Sequence, residues 1–244
     1  WKPTKDPIKD IALNAGKRQA FSHDPLMLAL SKQSIVRVDP RTPKGVVTEH
    51  NYKTNYFFEK LMGVGDKGTV VSSANGDLRF YSEIEGNAKN VVPSKFGEGA
   101  VSIDHSQDGS LLLLAYPRTI VLMPTGTKEG SAFVKVFRKD RKPGVITLSI
   151  SPHAMLRNGI SNLNFISAKF DEKANESESY VVAVTGEHIV LWLLSDVAKN
   201  KYATNLVKKM DNTMVAGEFM YDQDDLLAAF RKNLTIQELR TDRI

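Results

Sequence analysis

The sequence predicts an all-β fold, a β-propeller built from divergent, WD-like blades of four strands each. Short apolar runs come in pairs around polar turns, which indicates β-hairpins. Five such hairpins lie near residues 26–39, 69–82, 111–124, 180–194 and 226–239. The first apolar residues after their turns are separated by 43, 42, 69 and 45 positions. Three of these intervals fit the 40–50 residue period of propeller blades.

The remaining strands of each blade are predicted from their positions relative to the hairpins. An apolar residue precedes four of the hairpins, as Leu61, Ile103, Phe170 and Phe219, and marks the inner strand. Asp- and Gly-rich turns follow these residues. Outer strands lie at an exposed rim and carry more charge. We assign them to the segments GVVTEH, NVVPS, FVKVF and NLVKKM.

Two readings of the domain organisation stay open. Residues 1–244 form a single propeller domain, or they form the later part of a larger propeller with six or seven blades. The long interval between the third and fourth hairpins predicts an insertion at 124–164. A β-sandwich would also contain many short strands, but it would not require a period near 43 residues.

Composition limits the functional classes. The chain has no cysteine, so it can form neither disulfides nor thiolate metal sites, and a reducing cytosol is the expected compartment. A net charge of +5 is modest for 244 residues. The dense basic run contains Arg138, Lys139, Arg141 and Lys142. It is either a solvated loop or a site for an anionic partner such as an acidic protein, a lipid headgroup or RNA.

The stretch from Gly63 to Gly68 spells G-x-G-x-x-G, the pattern of a dinucleotide cradle. That cradle needs a helix directly after the glycines, because the helix N-terminus binds the pyrophosphate. Here the β-branched residues Thr69, Val70 and Val71 follow, which predicts a strand. We therefore interpret the glycines as a turn and expect no cofactor.

No catalytic or metal-binding pattern emerges from the remaining residues. The five histidines lack H-x-x-x-H or H-E-x-x-H spacing. Asp104, His105 and Ser106 contain the residue types of a hydrolase triad, but a triad needs side chains that converge from separate elements. Trp192 is expected to pack between blades. We predict that the chain is not an enzyme and has no metal site.

Several motifs carry a resemblance to a known family. In order, they are IVRVDPR, NGDLRFY, GNAKNVVP, VSIDHSQDGSLLLL, LSISPHA, NFISAKF and VVAVTGEHIVLWLL. Together they resemble the C-terminal propeller of the vacuolar import and degradation protein family, the Vid twenty-seven type, with plant defective-embryo-and-meristem relatives. The resemblance spans nearly the whole chain. It implies a WD-like propeller that, in longer family members, follows a separate domain and an acidic stretch.

Four polar residues best match the motifs of this family: Arg41, Arg79, Asn87 and Lys89. They either stabilise the blades or line a face that binds a partner. The leading hypothesis is a non-enzymatic scaffold for protein partners, which the resemblance links to vacuolar import and degradation of cytosolic proteins. Its expected location is cytoplasmic or peripheral to vesicles. The alternative is a basic module that binds anionic lipid or RNA through Arg138, Lys139, Arg141 and Lys142.

Overall fold

A computed structural model describes residues 6–14, 26–138, 142–171, 179–219, 225–231 and 233–238. The first eleven strands are β1 Asp10–Leu13, β2 Met27–Leu30, β3 Ser34–Val38, β4 Val46–Asn51, β5 Phe58–Gly63, β6 Thr69–Ser73, β7 Leu78–Tyr81, β8 Asn90–Val92, β9 Ser102–His105, β10 Leu111–Tyr116 and β11 Thr119–Pro124. The other strands are β12 Gly126–Thr127, β13 Gly130–Ser131, β14 Ile146–Leu148, β15 Phe165–Phe170, β16 Tyr180–Thr185, β17 His188–Leu193, β18 Leu206–Lys209, β19 Met214–Phe219, β20 Asp225–Phe230 and β21 Leu234–Glu238. Two short helices are α1 Pro152–Asn158 and α2 Leu194–Ala198.

The chain divides into two compact units. One comprises residues 1–100 and 124–144, and the other comprises residues 101–123 and 145–244. The first contains the sheets β1–β2–β3–β4 and β5–β6–β7–β8 and the small hairpin β12–β13. The second contains β9–β10–β11–β14, β15–β16–β17–β18 and the three-stranded β19–β20–β21. Their strand pairs are antiparallel, and the predicted fold class, all-β with WD-like four-stranded blades, is confirmed.

The most apolar hairpin shows why these residues form buried strands. Every residue of β16 is buried, and so are five of the six residues of β17. Gly186, with φ of +56°, supplies the left-handed residue that the tight turn between them requires. Trp192 is fully buried and its indole Nε1 donates to the Ser149 carbonyl at 3.1 Å. The large ring therefore fills the core while its only donor is satisfied.

Three of the four predicted outer strands are present. GVVTEH contains most of β4, NVVPS contains β8, and NLVKKM contains β18. The prediction of an outer strand at FVKVF is wrong, because residues 133–137 form a turn followed by a loop. The outer edge of β11 is occupied by β14, where Ile120 pairs with Leu148 and Leu122 with Ile146. The blade's fourth strand thus lies inside the long interval, after the hairpin β12–β13.

The glycine motif forms a turn between β5 and β6. A 3-10 turn spans Gly65–Lys67, and the strand β6 follows directly. Gly68 has φ of +138°, and a Cβ on it would lie 2.2 Å from the Tyr81 carbonyl oxygen and 2.9 Å from the Phe133 ring. The glycine is therefore required by close packing and by its backbone conformation. No helix N-terminus is available here for a pyrophosphate.

The sheet β19–β20–β21 differs from the other blades in its exposure. Leu234 is 64% exposed and Ile236 is 57% exposed. Ile35, Leu78, Ile120 and Ile189, which occupy the position of Leu234 after their own turns, are at most 3% exposed. Among the described residues, no strand pairs with the outer edge of β21. The last sheet therefore exposes apolar surface that the corresponding strands bury.

Candidate functional site

The turn between β3 and β4 holds Arg41 in a defined position. The carboxylate of Asp39 accepts hydrogen bonds from the backbone N–H of Arg41 at 2.9 Å, from its Nε at 3.0 Å and from its Nη2 at 2.9 Å. These bonds to Arg41 lower the pKa of Asp39. The Arg41 side chain is nevertheless 62% exposed. The turn thus fixes the arginine in place and leaves much of it accessible to a partner.

The connection between β7 and β8, residues 82–89, carries Asn87 and Lys89, and both are exposed. Three contacts hold this connection. Arg37 Nη1 donates to Glu85 Oε1 at 2.9 Å, the Tyr52 hydroxyl donates to the Ile84 carbonyl, and the Lys89 N–H donates to the Phe80 carbonyl at 2.7 Å. Because Arg37 lies on β3, the connection is tied to the strand that leads into the Arg41 turn.

Two tyrosines form the buried support beneath this connection. The rings of Tyr52 and Tyr81 lie 5.1 Å apart between centroids. Burial raises the pKa of Tyr81 to about 12, and it raises the pKa of Tyr52 further. Burial of a phenol disfavours its charged form, so both groups are neutral at physiological pH. The support is therefore a neutral aromatic contact beneath the charged, exposed connection.

We call residues 39–45 and 82–89 together the loop surface. It brings Arg41, Asn87 and Lys89 onto the connections between the third and fourth strands of two sheets that are tied by the Arg37–Glu85 pair. Arg79 does not belong to this surface. Its Nε donates to Ser73 Oγ at 3.2 Å and its Nη2 to Thr54 Oγ1 at 3.3 Å. Arg79 therefore links β6 to the segment between β4 and β5.

The predicted basic run lies beyond the hairpin β12–β13. Arg138 is exposed and its Nε lies 3.9 Å from Glu129 Oε2, and Lys142 is also exposed. Lys139 and Arg141 lie outside the described residues. At that distance, with an exposed arginine side chain, the ion pair with Glu129 is weak. The described basic side chains are accessible to an anion.

Hydrogen bonds from the Asn90 side chain, which the sequence did not predict, hold the segment that precedes this run. The buried side chain of Asn90 donates from Nδ2 to the carbonyls of Ala132 at 2.6 Å and Lys135 at 2.7 Å, and its Oδ1 accepts from Phe137 N–H at 2.7 Å. Phe133 is fully buried and packs edge-on against Phe80, with 5.3 Å between ring centroids. The only sequence signal was an asparagine within a β-rich segment, which does not indicate its partners.

The side chains of Asp104, His105 and Ser106 form hydrogen bonds within and beside the sheets. Asp104 is fully buried and its Oδ2 accepts from the Phe170 N–H at 2.8 Å. His105 Nδ1 lies 2.7 Å from the Ser106 carbonyl oxygen, while Ser106 Oγ donates to Asp108 at 2.6 Å. These bonds run to backbone groups and to a turn. Among the described residues, no group of three or more His, Asp or Glu side chains could hold a metal ion.

Comparison with known families identifies the chain. Residues 1–242 match the family described as the VID27 C-terminal WD40-like domain. The chain belongs to this family. It is 27% identical over 209 residues to vacuolar import and degradation protein 27 of Schizosaccharomyces pombe, a match that covers 81% of this chain. The match covers 26% of that relative, so the chain spans about a quarter of its length.

Solved structures support the fold of this WD40-like domain. Two chains, from "COPII on membranes, outer coat vertex" and from "The structure of the COPII coat assembled on membranes", each align with a TM-score of 0.65. Each alignment covers 96% of this chain, and the alignments cover 59% and 33% of those chains. At 12% identity the likeness concerns the fold alone. In the described part of the chain, no helix is long and apolar enough to cross a membrane.

Proposed function

We propose that this domain is a non-enzymatic scaffold that binds a protein partner through the loop surface. The observation that carries the proposal is the combination of backbone hydrogen bonds at Arg41 and Lys89 with exposed side chains at Arg41, Asn87 and Lys89. Binding residues usually lie on loops that a rigid sheet holds in place. Such loops are already ordered in the free protein, so they lose little conformational entropy on binding.

The loop surface contains three basic side chains, Arg41, Lys44 and Lys89, and three acidic ones, Asp39, Glu83 and Glu85. Two of the acids are paired, Asp39 with Arg41 and Glu85 with Arg37. Lys89 presents an exposed cation, and Asn87 offers both a donor and an acceptor for a partner's backbone. Binding would break no covalent bond, and no step of the mechanism requires a general acid or base. The partner would be a protein segment recognised by ion pairs and by backbone hydrogen bonds.

The biological setting is part of the same proposal. The name of the curated relative connects that longer protein with vacuolar import and degradation. We infer that this domain recruits a protein in the same process and acts in the cytoplasm or at the periphery of vesicles. The COPII chains share the fold of this domain, and that likeness does not indicate which partner the domain binds.

The test is co-precipitation with the full-length protein and the same protein carrying Arg41→Glu and Lys89→Glu. We expect loss of a defined partner, because both substitutions reverse a charge that the partner contacts, while circular dichroism retains the β-sheet signal because both residues lie in connections outside the strand pairs. The matched control reverses two exposed lysines elsewhere, as Lys53→Glu and Lys95→Glu. If the control loses the same partner, or if the loop variant retains it, the loop surface is not the binding site.

Arg79→Ala supplies a second control. Its guanidinium bridges Ser73 and Thr54, so its loss should lower the free energy of unfolding without a specific effect on the partner. An Arg79→Ala protein that folds normally and loses the partner would place the binding surface at the other end of β7.

A further inference from the structure

One surface segment of the first unit combines exposed aliphatic and basic side chains. We call residues Ala132–Arg138 the 132–138 loop. Val134 is 72% exposed and Val136 is 68% exposed, while Lys135 between them and Arg138 beyond them are also exposed. Lys142, a short distance further along the chain, adds another exposed cation. The two valines are among the most exposed large hydrophobic residues in the described part of the chain.

The 132–138 loop is held at its base. Buried Phe133 anchors it against Phe80, and Asn90 bonds to the backbone of three of its residues. Gly68 leaves the space that the Phe133 ring occupies. An unanchored loop could turn aliphatic side chains toward the protein, but these contacts fix the valines outward. Held outward in this way, the two β-branched side chains present aliphatic surface that can enter an apolar environment outside the domain.

The charges around the valines indicate what that environment is. Lys135 lies between them in the chain, Arg138 and Lys142 follow them, and the acid Glu129 lies 3.9 Å from Arg138. A bilayer interface with anionic lipids offers negative headgroups beside acyl chains, which complements basic and aliphatic side chains presented together. RNA fits less well because single-stranded bases stack on exposed aromatic rings. The aromatic residues of this loop are Phe133, which is buried, and Phe137, which is partly buried.

We propose that the 132–138 loop docks the domain on anionic membranes. Val134 and Val136 enter the interface between headgroups, while Lys135, Arg138 and Lys142 contact lipid phosphates and carboxylates. Such docking is peripheral and reversible, because two aliphatic side chains and three cations supply far less membrane affinity than a spanning helix. The proposal goes beyond the scaffold function and uses different residues. Either can therefore fail while the other holds.

The test is sedimentation of the full-length protein with vesicles of phosphatidylcholine alone and of phosphatidylcholine mixed with phosphatidylserine. We expect binding only to the mixed vesicles and a loss of binding as salt rises. Replacing Lys135, Arg138 and Lys142 with Gln should weaken binding by about fivefold for each cation removed. Replacing Val134 and Val136 with Ser should weaken it at every salt concentration, because the aliphatic contribution is not screened.

Matched controls separate the loop from net charge and hydrophobicity. One control replaces the exposed Lys53, Lys95 and Lys199 with Gln, and the other replaces the exposed Val47 and Val215 with Ser. We expect both to bind mixed vesicles like the unaltered protein. Equal weakening by the lysine control would overturn the proposal, since binding would then follow total charge. Unchanged binding by the valine variant of the loop, or gel-shift binding of a homopolymeric RNA without vesicle binding, would also overturn it.

Discussion

At the residue scale, Tyr81 makes the stability of the domain depend on pH. Its hydroxyl is buried beside Tyr52, and this burial raises its pKa from about 10 to about 12. Arg79 acts in the opposite direction and lowers the pKa, but burial dominates. A phenol with a raised pKa stabilises the folded state fully below its unfolded pKa near 10. That stabilisation is lost as pH rises through about 12, because the unfolded state releases the proton first.

We predict that the domain loses stability between pH 10 and pH 12 through these two tyrosines. The measurement is urea unfolding at several pH values, combined with absorbance titration of the phenolate. Tyr81→Phe should flatten the dependence, since phenylalanine keeps the ring contact and has no proton to lose. Tyr202→Phe, which alters a partly buried tyrosine bonded to Asn200 in an exposed contact, is the matched control. An unchanged dependence in the Tyr81→Phe protein would contradict the assignment.

Residue-scale contacts also show where sequence reasoning ends. The polar turns of the five hairpins were predicted from the sequence, because local backbone preference determines turns. The partners of Arg79 and Asn90 were not predictable in this way. Arg79 reaches Thr54, which is 25 positions away, and Asn90 reaches residues up to 47 positions away. Long-range contacts of this kind follow from the packing of sheets, which local patterns do not encode.

At the element scale, residue preference alone failed to distinguish a strand from a loop. FVKVF consists of aromatic and β-branched residues around one lysine, which is typical of a strand. ITL is shorter and less conspicuous, yet it forms β14 and pairs with β11. Phe133 of FVKVF is instead buried against Phe80. By contrast, β16 and β17 were readily predicted, because every position of both strands except His188 beside the turn is apolar or β-branched.

The exposure of β21 leads to a prediction at the same scale. Ile189 and Leu234 occupy the same position after their turns, but Ile189 is 1% exposed and Leu234 is 64% exposed. We expect Ile189→Ala to lower the free energy of unfolding by about 2–5 kcal/mol, because it leaves a cavity. Leu234→Ala should cost about 0.5 kcal/mol or less, as at other surface positions. Urea unfolding of both variants checks this, and equal losses would show that Leu234 is buried in solution.

At the scale of the whole molecule, the two units differ in how well their sheets are covered. The two blade sheets of the first unit each have four strands, and their third strands, β3 and β7, are largely buried. In the second unit, β11 and β17 are covered in the same way, whereas β21 exposes Leu234 and Ile236. Four blades therefore have four strands and a largely buried third strand. Among the described residues, the fifth blade has no outer strand, and its third strand is exposed to solvent.

We expect that β21 receives this cover in the full-length protein, as the later part of a larger propeller would require. The four outer strands indicate the chemistry of a strand that could pair there, since β4, β8, β14 and β18 each contain two aliphatic residues. Pairing with such a strand would add backbone hydrogen bonds along the edge of β21 and bury Leu234 and Ile236.

Hydrogen exchange can test this directly. The amides of β21 should exchange more slowly in the full-length protein than in the 244-residue chain, because a fourth strand adds hydrogen bonds and excludes water. The amides of β17, already paired on both sides with β16 and β18, provide the internal control and should exchange at the same rate in both proteins. Equal exchange of β21 in both proteins would mean that its edge is a native surface, so the five sheets would not be completed by further blade material.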